Sequence, residues 1–201
     1  MKVAVIDIGT NTFNLLVANK PNRSLIPLAV YKEFVVLGKG GINNNIIHDD
    51  AILRGLKTIK KFKKIADDQG VSKIIAVGTS AVRNAKNGKD FARKVKSLTG
   101  IEIEIINGGL EAEYIYNGAK EATNFGNNPI LLMDVGGGST EFIICDKHQV
   151  YWKKSFELGA ARLFEKFHKS EPILKEELEQ IENHLEKTLK EVIKKANDFE
   201  I

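Results

Sequence analysis

The sequence contains one cysteine, Cys145, one tryptophan and only four prolines in 201 residues. A single thiol excludes an intrachain disulfide framework and a cysteine-rich zinc site. Its place in an apolar, strand-like run marks Cys145 as a small core residue. Long hydrophobic runs are missing too. The longest, such as Ile130-Leu131-Leu132-Met133, is far too short to cross a bilayer, so no membrane is expected. The opening Met1-Lys2-Val3-Ala4-Val5-Ile6-Asp7 is an apolar run broken by an acid, which reads as buried strand and not as a secretion signal. A cytoplasmic location is the default expectation. Nor is there a strong excess of one charge: a formal net charge of +4 permits an anionic ligand without demanding one. The basic residues are spread along the chain with no stripe interleaved with aromatics, so no nucleic acid is expected.

What is present is ordinary for a globular protein, with 43% hydrophobic and 28% charged residues. Residues 2–8 form a continuous β-branched run of the kind buried in a mixed or parallel sheet. After a turn at Gly9-Thr10-Asn11 a second strand spans 12–19. A turn at Lys20-Pro21-Asn22-Arg23 then leads to one or two strands over 25–37, interrupted at Tyr31-Lys32-Glu33. A loop follows through Gly38–Asn45. Asp49 or Asp50 is expected to cap a helix with its apolar stripe at Ile52, Leu56, Ile59, Phe62 and Ile65, ending at Gly70. A strand at 73–77, a helix at 88–98 burying Phe91, Val95 and Leu98, a strand at 101–106 and a helix at 109–122 come next. The turn-rich 124–129 stretch reads as the linker between two domains, 1–125 and 126–201. Beyond it lie strands at 130–135, 140–145 and 150–156, then helices at 159–168 and 173–198. The last should carry Glu186–Lys190 and Glu191–Lys195 pairs on its outer face.

The chain begins twice. Ile6-Asp7-Ile8-Gly9-Thr10-Asn11-Thr12-Phe13 and Met133-Asp134-Val135-Gly136-Gly137-Gly138-Ser139-Thr140 share one design, an apolar strand ending in Asp, a hydrophobe and Gly, then small polar residues and a second strand. From Asp7 to Asp134 the offset is 127 residues, too long for a solenoid repeat and suggestive of two similar domains. Such turns present backbone N–H groups that an anion satisfies together, and Thr10, Thr12, Ser139 and Thr140 can add hydroxyl donors. A carboxylate before each turn repels phosphate unless a divalent cation lies between them. Either turn alone could be a mere tight hairpin; two at corresponding positions point to phosphate.

Glu111 and Glu113 fall in the first turn of a helix, where the dipole favours carboxylates; the alternative is that one of them activates a water. Arg83 follows a strand and the Gly78-Thr79-Ser80 turn. It is either a surface arginine or a clamp for phosphate oxygens.

Together these segments resemble the exopolyphosphatase / guanosine pentaphosphate phosphohydrolase family, a branch of the actin, Hsp70 and sugar-kinase superfamily. The resemblance rests on IDIGTNTFNLLV at 6–17, VGTSAVRNAKNG at 77–88, INGGLEAEYIYNG at 106–118, LLMDVGGGSTEFII at 131–144 and FELGAARLFEKF at 156–167. It implies an α/β fold of duplicated actin-like (ribonuclease H-like) domains with mixed sheets and the phosphates held in a cleft between them. It implies orthophosphate release from the end of inorganic polyphosphate or the 5′ end of guanosine pentaphosphate. Glu111 matches the family's general base. Asp134 and Glu141, with Asp7 as a further contributor, match the acids that hold Mg²⁺ or another divalent cation. Gly9, Thr10, Asn11 and Thr12, and Gly136, Gly137, Gly138, Ser139 and Thr140, match the phosphate-gripping loops, and Arg83 a basic residue facing the polyanion. A homodimer is a family expectation only.

Leu110 stands where the family usually has an acid, Glu113 where it has arginine, and Val36 where it often has a basic residue. These departures bear on substrate preference. Family members also run on for roughly another domain's worth of chain, so the second domain is expected to be truncated. Two rivals remain: an ATPase or kinase of the same superfamily, and a polyphosphate- or nucleotide-sensing module that binds without turnover.

Overall fold

The computed structural model describes residues 1–21 and 25–201. Of the turn expected at Lys20-Pro21-Asn22-Arg23, Asn22 and Arg23 lie outside the described residues. Two compact units divide the chain, Met1–Ile106 and Asn107–Ile201.

The first unit is a five-stranded mixed sheet carrying helices. Strands β1 (Lys2–Ile8), β2 (Thr12–Asn19) and β3 (Ile26–Phe34) form an antiparallel meander. β4 (Lys73–Gly78) and β5 (Ile103–Ile105) join parallel, giving the order β3-β2-β1-β4-β5. The expected interruption at Tyr31–Glu33 does not occur, because those residues continue the pairing with β2. Alternation sets the core: Ala4, Ile6 and Ile8 of β1 and Phe13, Leu15 and Val17 of β2 are buried on one face. Against that face packs α1 (Asp49–Asp68), through Ile52, Ile59, Phe62 and Ala66. Its N-cap is His48, so Asp49 and Asp50 fall inside the first turn, where they face the helix dipole instead of capping it. The short α2 (Ser80–Asn84) precedes α3 (Gly88–Thr99), which buries Phe91 and Val95. Leu98, expected in that core, is 51% exposed because it lies on the outer side of the last turn.

The second unit opens with α4 (Gly108–Ala122), followed by the antiparallel sheet β6 (Ile130–Val135), β7 (Thr140–Cys145) and β8 (Val150–Phe156). Helix α4 packs on β7 and β8 through Ala112 and Tyr116, which share a core with Ile143 and Cys145. The 124–129 stretch is therefore a connection inside this unit, and the compact division falls at 106/107 instead, because the apolar face of α4 belongs to the second sheet. Cys145 is fully buried, and burial pushes its thiol up.

Helix α5 (Ala160–Phe167) follows β8, and the long helix expected over 173–198 is two, α6 (Lys175–Thr188) and α7 (Lys190–Asp198). Thr188 donates its hydroxyl to the His184 carbonyl at 2.7 Å, a back-bond that bends helices at the point where this one breaks. The expected Glu191–Lys195 pair is not made; Glu191 takes Lys154 at 2.5 Å and Lys195 takes Asp198 at 3.5 Å. Among the described residues no helix is long and apolar enough to cross a membrane.

Glu177 staples the start of α6. Its carboxylate accepts the Ser170 hydroxyl at 2.6 Å, the Leu174 N–H at 2.9 Å and the Lys169 N–H at 2.7 Å. These bonds, the Ser170 hydroxyl foremost, hold its pKa down to about 2. A folded-state value below the unfolded one stabilises above the unfolded value and is lost as pH falls through the folded one. The thermal midpoint of Glu177→Gln should therefore lie below wild type at neutral pH. The gap should shrink below the ordinary carboxylate range and close near pH 2, as followed by circular dichroism melts.

Candidate functional site

In the first unit the β1–β2 turn is closed by a hydrogen bond from the Gly9 N–H to the Thr12 carbonyl at 3.0 Å. Its outer carbonyls are tied down. Thr10 O accepts the Gly38 N–H at 3.1 Å, and Asn11 O accepts those of Val35 at 3.0 Å and Val36 at 2.8 Å. In a trans peptide the N–H points opposite to the C=O, so fixing these carbonyls aims the Asn11 and Thr12 N–H groups the other way. Asp7 stands directly across from Asn14, whose amide donates to it at 3.0 Å.

Two features of this turn call for explanation. Thr10 is only 4% exposed, yet among the described residues its hydroxyl has no hydrogen-bond partner. Burying a hydroxyl without one costs about 1–3 kcal/mol, a cost that a polar group reaching the turn would relieve. Val36, a β-branched residue, sits at φ 51°, a costly conformation that needs support. Arg54 supplies it, donating from Nε to Val35 O at 2.8 Å and from Nη2 to Val36 O at 3.1 Å. Val36 thus contributes its backbone to the turn.

Arg83 begins close by. Thr79, the N-cap of α2, donates its N–H to the Ile8 carbonyl at 3.2 Å, and Arg83 donates its N–H to Thr79 O at 2.8 Å. The half-buried Arg83 side chain donates to Ile106 O at 3.2 Å, so it is an anchored group and not a loose surface arginine.

In the second unit the same plan recurs at the same offset. Gly136 N–H donates to Ser139 O at 3.0 Å, and Asp134 stands directly across from Glu141 as Asp7 does from Asn14. The start of α5 ties this loop back. Ala160 N–H donates to Gly136 O at 2.9 Å, Ala161 N–H to Gly137 O at 2.8 Å, and Arg162 Nε to Gly138 O at 2.8 Å. Three successive carbonyls are held on one side, which turns the N–H groups of Gly137, Gly138 and Ser139 to the other. The Thr140 hydroxyl is buried and donates to Leu158 O at 3.0 Å, so it serves the loop's base. Helix and loop approach so closely that a Cβ on Gly159 would lie 2.2 Å from the Gly137 carbonyl carbon.

The carboxylates of this unit differ sharply in setting. Glu141 is 1% exposed and accepts the Ser155 hydroxyl at 2.6 Å, while Asp134 is exposed. Like charges directly opposite on a sheet repel, and two hard oxygen donors so placed suit a divalent cation between them. Among the described residues, no group of three or more His, Cys, Asp or Glu is arranged to hold a metal. Mg²⁺ commonly takes one or two carboxylates and completes its shell with water and phosphate, so Asp134 and Glu141 fit it.

Asn107 caps α4, its side chain accepting the Leu110 N–H at 2.8 Å, which puts half-buried Glu111 in the first turn. Gly108 lies against Ser155, so the helix start abuts the residue that holds Glu141. Glu113 pairs with Lys153 of β8 at 2.9 Å, which offsets the charge that departs from the family pattern.

Sequence reasoning missed the supporting residues: Asn14, Arg54, Ser155, Gly159 and Arg162. The signal for the last two was the Gly159-Ala160-Ala161-Arg162 run, small residues at a helix start beside a glycine loop. Replacing Gly159 with alanine should wedge the loop from its clamp, lowering the thermal midpoint and shifting the Gly137 and Gly138 amide resonances in a heteronuclear NMR spectrum.

Comparison with known proteins follows this geometry. The family model for the Ppx/GppA phosphatase family matches residues 16–198. The bifunctional 3-dehydroquinate synthase/phosphatase of Fusobacterium nucleatum is 38% identical over 173 residues, covering 82% of this chain and 26% of that protein. The guanosine-5′-triphosphate,3′-diphosphate pyrophosphatase of Aliivibrio fischeri is 31% identical over 196 residues, 98% of this chain and 39% of that protein. Among solved structures, an exopolyphosphatase from Cytophaga hutchinsonii superposes with a TM-score of 0.96 at 39% identity, covering 99% of this chain and 64% of that one. The chain thus spans less than two thirds of each of these relatives.

Proposed function

Since this chain belongs to the Ppx/GppA phosphatase family, we propose that it takes part in phosphoanhydride hydrolysis. It would release orthophosphate from the end of inorganic polyphosphate or from the 5′ end of guanosine pentaphosphate. The observation that carries the reading is the pair of tied-back turns, Gly9–Thr12 and Gly136–Ser139, each closed by the same backbone bond and each with its carbonyls held away from its N–H groups.

Hydrolysis of a phosphoanhydride is chiefly a matter of positioning and of charge, because negative charge spreads over the transferring group and the bridging oxygen. Peptide N–H groups fixed in advance meet that charge without reorganising. Thr10 supplies a hydroxyl that has no partner among the described residues, and Arg83 a guanidinium anchored on the Ile106 carbonyl. Asp134 and Glu141 would hold a divalent cation, which supplies charge neutralisation on the phosphate oxygens. Glu111 is assigned the general base, taking a proton from the attacking water at its carboxylate. It sits in the first turn of α4, at the positive end of the helix dipole.

Two measurements test the assignment. Glu111→Gln should lower phosphate release at least about a hundredfold, the usual scale for a lost general base, while leaving the affinity for tripolyphosphate near wild type. Equal loss of binding and turnover would remove Glu111 from that role. Phosphate release from polyphosphate and from guanosine pentaphosphate should also stop on chelation and return with Mg²⁺. Metal-independent release would displace Asp134 and Glu141 from theirs.

A further inference from the structure

We propose that Arg162 is a positioning residue for anion binding at the Gly136–Ser139 loop, acting through the loop's backbone without touching the ligand. The inference rests on the phosphate-binding reading of that loop.

Arg162 is 6% exposed, a costly place for a guanidinium. Among its partners, Glu157 lies 3.2 Å away and is 59% exposed, so that pair is half in solvent and offsets little of the cost. The better-placed contact is the bond from Arg162 Nε to the Gly138 carbonyl at 2.8 Å. It continues the series begun by the Ala160 and Ala161 N–H groups, which take the two preceding carbonyls. A helix leaves its first four N–H groups without intrahelical partners, and here two of them take the first two carbonyls while the Arg162 side chain takes the third.

The consequence lies on the other side of the same peptide. Gly138 C=O and Ser139 N–H belong to one planar unit. A cationic donor on the oxygen withdraws electron density from it and makes the N–H a stronger donor, the cooperative polarisation expected in a chain of hydrogen bonds. Arg162 therefore fixes the direction of the Ser139 N–H and strengthens it, with a charge placed behind the loop where it cannot compete with the ligand for the front.

The test is titration of the full 201-residue chain with tripolyphosphate by calorimetry, together with the Ser139 amide resonance. Arg162→Gln keeps a donor and loses the charge, and Arg162→Lys keeps the charge. The expected result is a loss of about tenfold or more in Arg162→Gln, the scale of one charge-assisted bond. Arg162→Lys should retain most of the affinity, and the Ser139 amide shift on binding should shrink in Arg162→Gln alone. Wild-type affinity in Arg162→Gln, or equal loss in both variants, overturns the assignment. Should Arg162→Gln not fold, Arg162→Lys decides: a Ser139 binding shift of wild-type size supports the role, and its disappearance overturns it. If wild type itself does not bind tripolyphosphate, the phosphate reading falls; if it binds and Arg162→Gln binds equally, only the role of Arg162 falls.

Discussion

The two turns depend on where their carbonyl groups are spent. A glycine-rich turn is soft, and soft peptide groups rotate toward whatever acceptor is near. Here they cannot. In the first unit Gly38, Val35 and Val36 hold the turn from outside; in the second the start of α5 and Arg162 do so. Different parts of the chain arrive at the same result, which places the constraint on peptide orientation rather than on any one side chain. The strained backbone of Val36 and the close approach at Gly159 are local costs of keeping those orientations.

The duplication visible in the sequence extends to the register of the strands. Asp7 opposes Asn14, and Asp134 opposes Glu141, at the one shared offset. That single difference divides the labour. The first turn has an amide beside its acid, which satisfies it inside the protein at 3.0 Å. The second has another acid, buried and oriented by Ser155. Of the two, the second is the better cation ligand pair on the chemistry of its donors.

Much of this was legible in the chain. Strand periodicity and turn residues placed β1, β2, β6, β7 and β8 where the structure has them, because short β-branched runs bounded by glycine leave little choice. The motif residues also pointed to the turns. What the sequence did not disclose was how elements close on one another. The apolar face of α4 matches either sheet in composition, so only its packing against Ile143 and Cys145 assigns it to the second unit. The break at Leu189 depends on one hydroxyl turning back to His184. The parts that Ser155, Gly159 and Arg162 play likewise show only when β8 and α5 are laid beside the loop. Glu113, which departs from the family's arginine, is offset by Lys153, a residue forty positions away with no sequence mark of its own.

A grip assembled from peptide groups is indifferent to identity. Any chain ending in the same tetrahedral oxyanion presents the same oxygens to the same N–H groups, whether a nucleoside or more of the polymer lies behind it. On the proposed phosphate reading, discrimination falls to side chains outside the turns, and beside them the second unit carries Leu110 and the Glu113–Lys153 pair on α4 and β8.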